Sequence, residues 1–168
     1  MRFFTPELYH RFNSENEAVA DKADEMWDRN VQTYALHLKK LVNAAPALKR
    51  LAELELHDAE VLSFEQFPSE ALEFEGTAVL SVSFTDQVYT LIYQLAAKAT
   101  VSRAQRNWPF SEKRTHWLYD EIDARPERRR EFIHRVLLSD SRVLVITFVS
   151  AIVHTLTIAG TTCARRIA

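Results

Sequence analysis

The chain has 168 residues, a formal charge of −2 and a pI near 6.3, with 47% apolar and 26% charged residues. That length supports one domain whose core needs no staples, and the composition lies far from that of chains that stay disordered. No global positive field exists to condense onto phosphate, so nucleic acid is not an expected partner; the single cysteine, Cys163, excludes an internal disulfide framework and fits a reducing, cytoplasmic compartment.

MRFFTPELYH at the start lacks the apolar run and small-residue cleavage pattern of a secretory signal, so the mature chain is expected to begin at Met1. Thr5-Pro6-Glu7 combines a capping hydroxyl, a proline at the first helical position and an acid in the first turn, and predicts a short helix over 6–12. Ser14-x-x-Glu17 has the form of a capping box. Behind it Ala20, Ala23, Trp27, Val31, Tyr34, Leu38 and Leu41 recur at spacings of three and four, predicting a long helix over 15–44 that Pro46 ends. A third short helix is expected over 47–54. The same spacing suits a coiled-coil seam, but the β-rich sequence that follows needs covering, which favours packing onto a core.

From Leu56 the apolar period falls to two. Tyr89, Leu91, Tyr93, Leu95, Ala97, Ala99 and Val101 alternate with positions that turn polar, predicting a long half-buried strand over 88–101. Ala78, Leu80, Val82 and Phe84 alternate likewise, and Thr85-Asp86-Gln87 suits a hairpin turn. Strands over 115–124 and 131–139 and two halves of 143–158, with a turn at Ser139-Asp140-Ser141, bring the expected number to about seven. Residues 143–160 reach the length of a membrane span, yet His154, the hydroxyls and the β-branched residues there match strands buried in a sheet. Without crossover helices the strands should pair mainly antiparallel. The class predicted is α+β: N-terminal helices, one long, packed on a curved antiparallel sheet in a single domain 1–168, helical over 1–54, β over 55–160, with a tail at 161–168.

Candidate sites are dispersed. His57-Asp58 matches the dipeptide of metal-dependent HD phosphohydrolases, though nothing downstream resembles their helical scaffold; a turn leading into the first strand is the plainer reading. His116-Trp117-Leu118-Tyr119-Asp120-Glu121 is a second cluster, with His134 in the next strand. Strict alternation sets Trp117, Tyr119 and Glu121 on one face and His116, Leu118 and Asp120 on the other, so without a bulge only one of the two acids can share a site with His134. A pocket built from His57, Asp58, Tyr119, Glu121 and His134 could serve acid-base work, with His57, Asp58 and His134 as candidate metal ligands. Arg125, Arg128, Arg129 and Arg130 around Pro126 form a basic turn that could dock an acidic partner or phosphate. Cys163 with Arg165 and Arg166 lacks a base to make it a nucleophile. With two glycines the chain has no phosphate-binding, dinucleotide or nucleophile-elbow loop, and no cofactor is expected.

MRFFTPELY with the following FNS, His57-Asp58 before the first strand, Trp117-Leu118-Tyr119-Asp120-Glu121 and a C-terminal hairpin resemble a class of uncharacterised bacterial domains of unknown function. That resemblance implies a bacterial source and an α+β fold and lends no activity; such domains often carry glycine where Ser141 stands. The expectation drawn from the residues is a small protein acting by protein-protein binding or self-association, as a C2 homodimer by default, with edge strands of an open sheet available for pairing. Small acidic toxin-neutralising proteins are one analogous class. The alternative is a metal-dependent or acid-base hydrolase using His57, Asp58, Glu121 and His134.

Overall fold

The computed structural model describes residues 1–69, 75–125, 127–128 and 130–158. Thr5 caps the first helix, α1 (Pro6–Phe12), its hydroxyl accepting from the Leu8 amide. The long helix, α2 (Glu17–Ala44), starts two residues later than expected, and its cap is not Ser14: Asn16 Oδ1 accepts from the Val19 amide, while Ser14 Oγ accepts from the Asn16 amide and so supports the cap from outside. A 3₁₀ turn (Pro46–Leu48) runs directly into α3 (Lys49–Ala52), so the third helix is shorter and tighter than the spacing predicted.

Six strands follow among the described residues, one fewer than expected: β1 (Ala59–Pro68), β2 (Gly76–Phe84), β3 (Gln87–Val101), β4 (His116–Ala124), β5 (Phe132–Leu138) and β6 (Val143–Thr157). The two halves expected at the C-terminus are one strand, continuous because β6 pairs with β3 along its length and with β5 at its start. All neighbours are antiparallel, and the order β1-β2-β3-β6-β5-β4 closes into a barrel. Closure removes the open sheet expected from the strand pattern. The chain makes two three-stranded meanders that meet along seams of unequal length. One seam runs from Gln87↔Thr157 to Val101↔Leu144; the other holds only Ala59↔Trp117 and Glu60↔His116.

Alternation decides what fills the barrel. Ala78, Leu80 and Val82 of β2, Leu91, Tyr93 and Leu95 of β3, Ile122 and Val136 of β4 and β5, and Leu144, Ile146 and Phe148 of β6 are all buried inside. Leu41, Leu48, Leu51 and Leu56 join the same core, so the end of α2, the 3₁₀ turn and α3 plug one end of the barrel. A second cluster, Phe3, Phe4, Leu8, Ala23 and Trp27 with Tyr34 and Tyr119 against it, packs the N-terminal segment and helices onto the outside of β4.

Beyond Trp117, β4 no longer has β1 beside it, and an unpaired edge would result. Helix α2 supplies the missing partners: the Tyr34 hydroxyl accepts from the Ile122 amide at 2.7 Å, and His37 Nε2 lies 3.3 Å from the Ile122 carbonyl and 2.9 Å from Asp123. Asn30 Nδ2 donates to the Phe3 carbonyl at 2.7 Å. The inner stripe of α2 is therefore Trp27, Asn30, Tyr34, His37 and Leu41, and Val31, expected on it, is 45% exposed. Among the described residues no helix is long and apolar enough to cross a membrane.

Candidate functional site

The residues singled out in the sequence fall in three places. His57 and Asp58 form the turn that leads into β1, closed by the Ala59 amide donating to the Leu56 carbonyl at 2.9 Å. Asp58 takes a left-handed φ of 64°, a conformation that Asp and Asn tolerate better than most side chains. Its amide donates to the Trp117 carbonyl, and His57 Nδ1 reaches the Leu118 carbonyl while Nε2 lies 3.4 Å from Asp58. Both contacts tie the turn to β4 where β1 and β4 part.

Glu121 lies elsewhere. Its buried carboxylate accepts from three successive backbone amides, Arg2 at 2.8 Å, Phe3 at 2.7 Å and Phe4 at 2.8 Å, and fixes the N-terminal segment onto the barrel wall. Tyr119 shares that outer face of β4, stacked on Phe4 at 5.5 Å, edge-on to Trp27 at 4.5 Å and 4.6 Å from the His57 ring.

His134 is inside the barrel at 1% exposure, and its partner is Asp120, not Glu121. The register explains this, because Ile122 lies opposite His134 and Asp120, two residues away, shares its face while Glu121 points outward; the register shift between Trp117 and Tyr119 adds Trp117 to the inner face, where strict alternation had kept it with Tyr119. Trp117 Nε1 donates to Asp120 Oδ1 at 3.2 Å, Asp120 Oδ2 lies 3.0 Å from His134 Nε2, and His134 Nδ1 lies 2.8 Å from the Tyr93 hydroxyl. In a neutral ring Nε2–H donates to the Asp120 carboxylate, leaving Nδ1 to accept from the Tyr93 hydroxyl. The order carboxylate, imidazole, hydroxyl is that of a hydrolytic relay. Here, however, Tyr93 is fully buried, and burial followed by the Asp120 charge pushes its pKa well above the usual phenol value. The chain of bonds is thus a satisfied polar strut through an apolar core.

The expected pocket is accordingly not assembled, since His57 and Asp58, Glu121, and His134 are held by different partners on different faces. Among the described residues no three His, Cys, Asp or Glu side chains converge as a metal site. In the basic turn Arg125 pairs with Glu131 at 3.1 Å and Arg128 lies 3.9 Å from the same carboxylate, which neutralises part of its charge; Arg130 has a φ of 73°. Pro126 and Arg129, and Cys163, Arg165 and Arg166, lie outside the described residues.

What the fold does create is a cleft of about 280 Å³ where α1, the connection over 102–115 and the start of β4 converge. Trp108 anchors that connection, donating from Nε1 to the Ser139 carbonyl at 2.8 Å, and Tyr9 of α1 stacks on it at 5.9 Å. Ser139 Oγ accepts from the His116 amide, and Ser141, at φ 70°, accepts from the Gln105 amide, so the β5-β6 turn secures the cleft from below. Tyr9 and Phe110, edge-on at 5.4 Å, form an aromatic wall; Asp58, Glu112 and His116 supply the polar side, His116 Nδ1 lying 3.2 Å from Glu112. No Lys or Arg is among the lining residues. The field is felt: burial and then the Asp58 and Glu112 carboxylates raise the Tyr9 pKa, and burial, Tyr9 and Asp58 raise that of Tyr119. Of the lining residues, sequence reading named Asp58 and His116 but missed Phe110 and Glu112, and Tyr9, far from both in the chain, which meets them because α1 packs on Trp108 and Phe110.

Compared with known proteins, the chain matches no family model, no curated protein and no solved structure.

Proposed function

We propose that this protein is a binding protein without chemistry of its own, acting in the cytoplasm, and that its cleft receives a basic side chain of a partner protein. One observation supports this reading above the rest: two carboxylates, Asp58 and Glu112, share an aromatic-walled cleft and, among the described residues, are paired with the imidazoles of His57 and His116 and with no Lys or Arg. A guanidinium laid on Tyr9 or Phe110 gains about 0.5–2 kcal/mol from the ring, and a carboxylate at its edge accepts charge-assisted hydrogen bonds. A volume of about 280 Å³ suits one long side chain better than a large free ligand. A toxin-neutralising protein, which would clamp a basic residue of its target, belongs to this class. The hydrolase alternative draws no support from Glu121, bound to three amides, or from His134, sealed in the barrel.

The test is a nuclear magnetic resonance titration with N-acetyl-arginine methylamide against the leucine and glutamate analogues. The arginine probe should shift signals of Tyr9, Glu112 and His116 at millimolar concentration, and Asp58→Asn, which keeps a side chain suited to positive φ, should weaken binding several-fold, as should Glu112→Gln. Equal shifts with the leucine analogue, or none in the cleft, would overturn the reading.

A further inference from the structure

The outward positions of β2, β3 and β6 form a face that the helices leave bare. In register across the three strands run Val79↔Ile92↔Ile152 and, four residues along, Ser83↔Val88↔Leu156, with Ser81↔Thr90↔His154 between them. Ile152 is 57% exposed and Leu156 68%, while no outward position from Thr77 to Ser83, Val88 to Gln94 or Ser150 to Leu156 carries Asp, Glu, Lys or Arg. In a chain that is 26% charged, a bare face of twelve such positions is not ordinary solvated surface. Here β2 and β3 have a neighbour on each side, whereas β6 beyond Phe148 is paired with β3 alone, so the face is broad and ends on one unpaired edge.

We infer that this face is the interface of a two-fold homodimer. A second copy suits it because an uncharged surface meets its own image without like-charge repulsion. A two-fold axis laid along the row Val79-Ile92-Ile152 stacks that row on its copy and sets Ser81, Thr90 and His154 opposite Thr77, Gln94 and Ser150, donors and acceptors on both sides. Area sets the strength. Three strands about 4.8 Å apart over about eight residues of 3.3 Å give on the order of 400 Å² per copy. A standard interface has roughly 800 Å² per partner, so the dimer is weak and exchanges with monomer in the micromolar range.

Sedimentation equilibrium of the full chain tests this, from about 2 µM to about 500 µM. The average mass should climb from that of the 19.5 kDa monomer toward twice that value. Ile152→Lys, at an exposed position, should weaken association at least tenfold with an unchanged circular dichroism spectrum, and Val31→Lys on the bare side of α2 should leave it unaltered. A monomer at the highest concentration gives the face to some other occupant and overturns the inference, as does a dimer indifferent to Ile152→Lys or an assembly larger than two. Neither variant touches the cleft, so cation binding and dimerisation fail or stand separately.

Discussion

Replacing Glu121 by alanine tests whether this carboxylate is a structural clamp. It accepts from the buried amides of Phe3 and Phe4 at 2.7 and 2.8 Å and from the partly buried Arg2 amide at 2.8 Å. Left without an acceptor, each buried amide costs about 1–3 kcal/mol. The segment could instead peel away and rehydrate those amides, but Phe3, Phe4 and Leu8 would then leave their cluster, at roughly 1.5–3 kcal/mol each. Whichever route is cheaper sets the loss, which comes to about 2–6 kcal/mol, a large share of the ~5–15 kcal/mol that stabilises a typical domain. Glu121→Gln keeps one acceptor oxygen and turns an amide group toward the other donors, so about 1–2 kcal/mol should go. Urea unfolding followed by tryptophan fluorescence gives both values, and hydrogen exchange at Phe3 and Phe4 separates local release from global loss. A Glu121→Ala protein within 0.5 kcal/mol of the parent, with those two amides still protected, would refute the clamp and return Glu121 to the list of candidate catalytic groups.

Alkaline pH should destabilise the fold. Burial first, and then the Asp120 charge, raise the pKa of both Tyr34 and Tyr93 above 10, so each is ionised in the unfolded chain before it is in the folded one. Stability is fully present below about pH 10 and falls by about 1.4 kcal/mol per pH unit per buried tyrosine above it, until the folded pKa is reached; urea midpoints at pH 9, 10 and 11 check the slope. Tyr93→Phe leaves His134 Nδ1 with no hydroxyl at 2.8 Å and should cost about 1–2 kcal/mol, whereas the same change in a His134→Leu background should cost clearly less; equal costs in a double-mutant cycle would show that the two side chains do not interact.

Elements whose pattern is local were legible in the sequence. Thr5 and Pro6 started a helix where expected, and β2 followed its alternation, as did β3 from Leu91 to Leu95; beyond that, register shifts against β6 break the pattern, and Val101, expected on the buried side, is 44% exposed. Two things were not legible, for different reasons. The β4-β5 register, Ile122 opposite His134, is announced by no residue type, so the partner of His134 was assigned to the wrong acid, and a bulge at Leu118 hid that Trp117 joins them. Asn30 and His37 were not placed on the inner stripe of α2, and Tyr34 was placed there without its hydrogen bond, because the partners of all three are backbone groups of Phe3 and Ile122, distant in the chain. Barrel closure was hidden for the same reason. It rests on two paired positions between β1 and β4, too few to mark either strand.

That short join makes the protein resemble a book, bound along the long β3-β6 spine and held shut by a small clasp at Ala59 and Trp117. The seam with the fewest paired positions is where the least costly opening is expected, and Trp117, whose ring centroid is 5.4 Å from that of His134, stands at it, so hydrogen exchange should be faster beside that imidazole than along the β3-β6 spine.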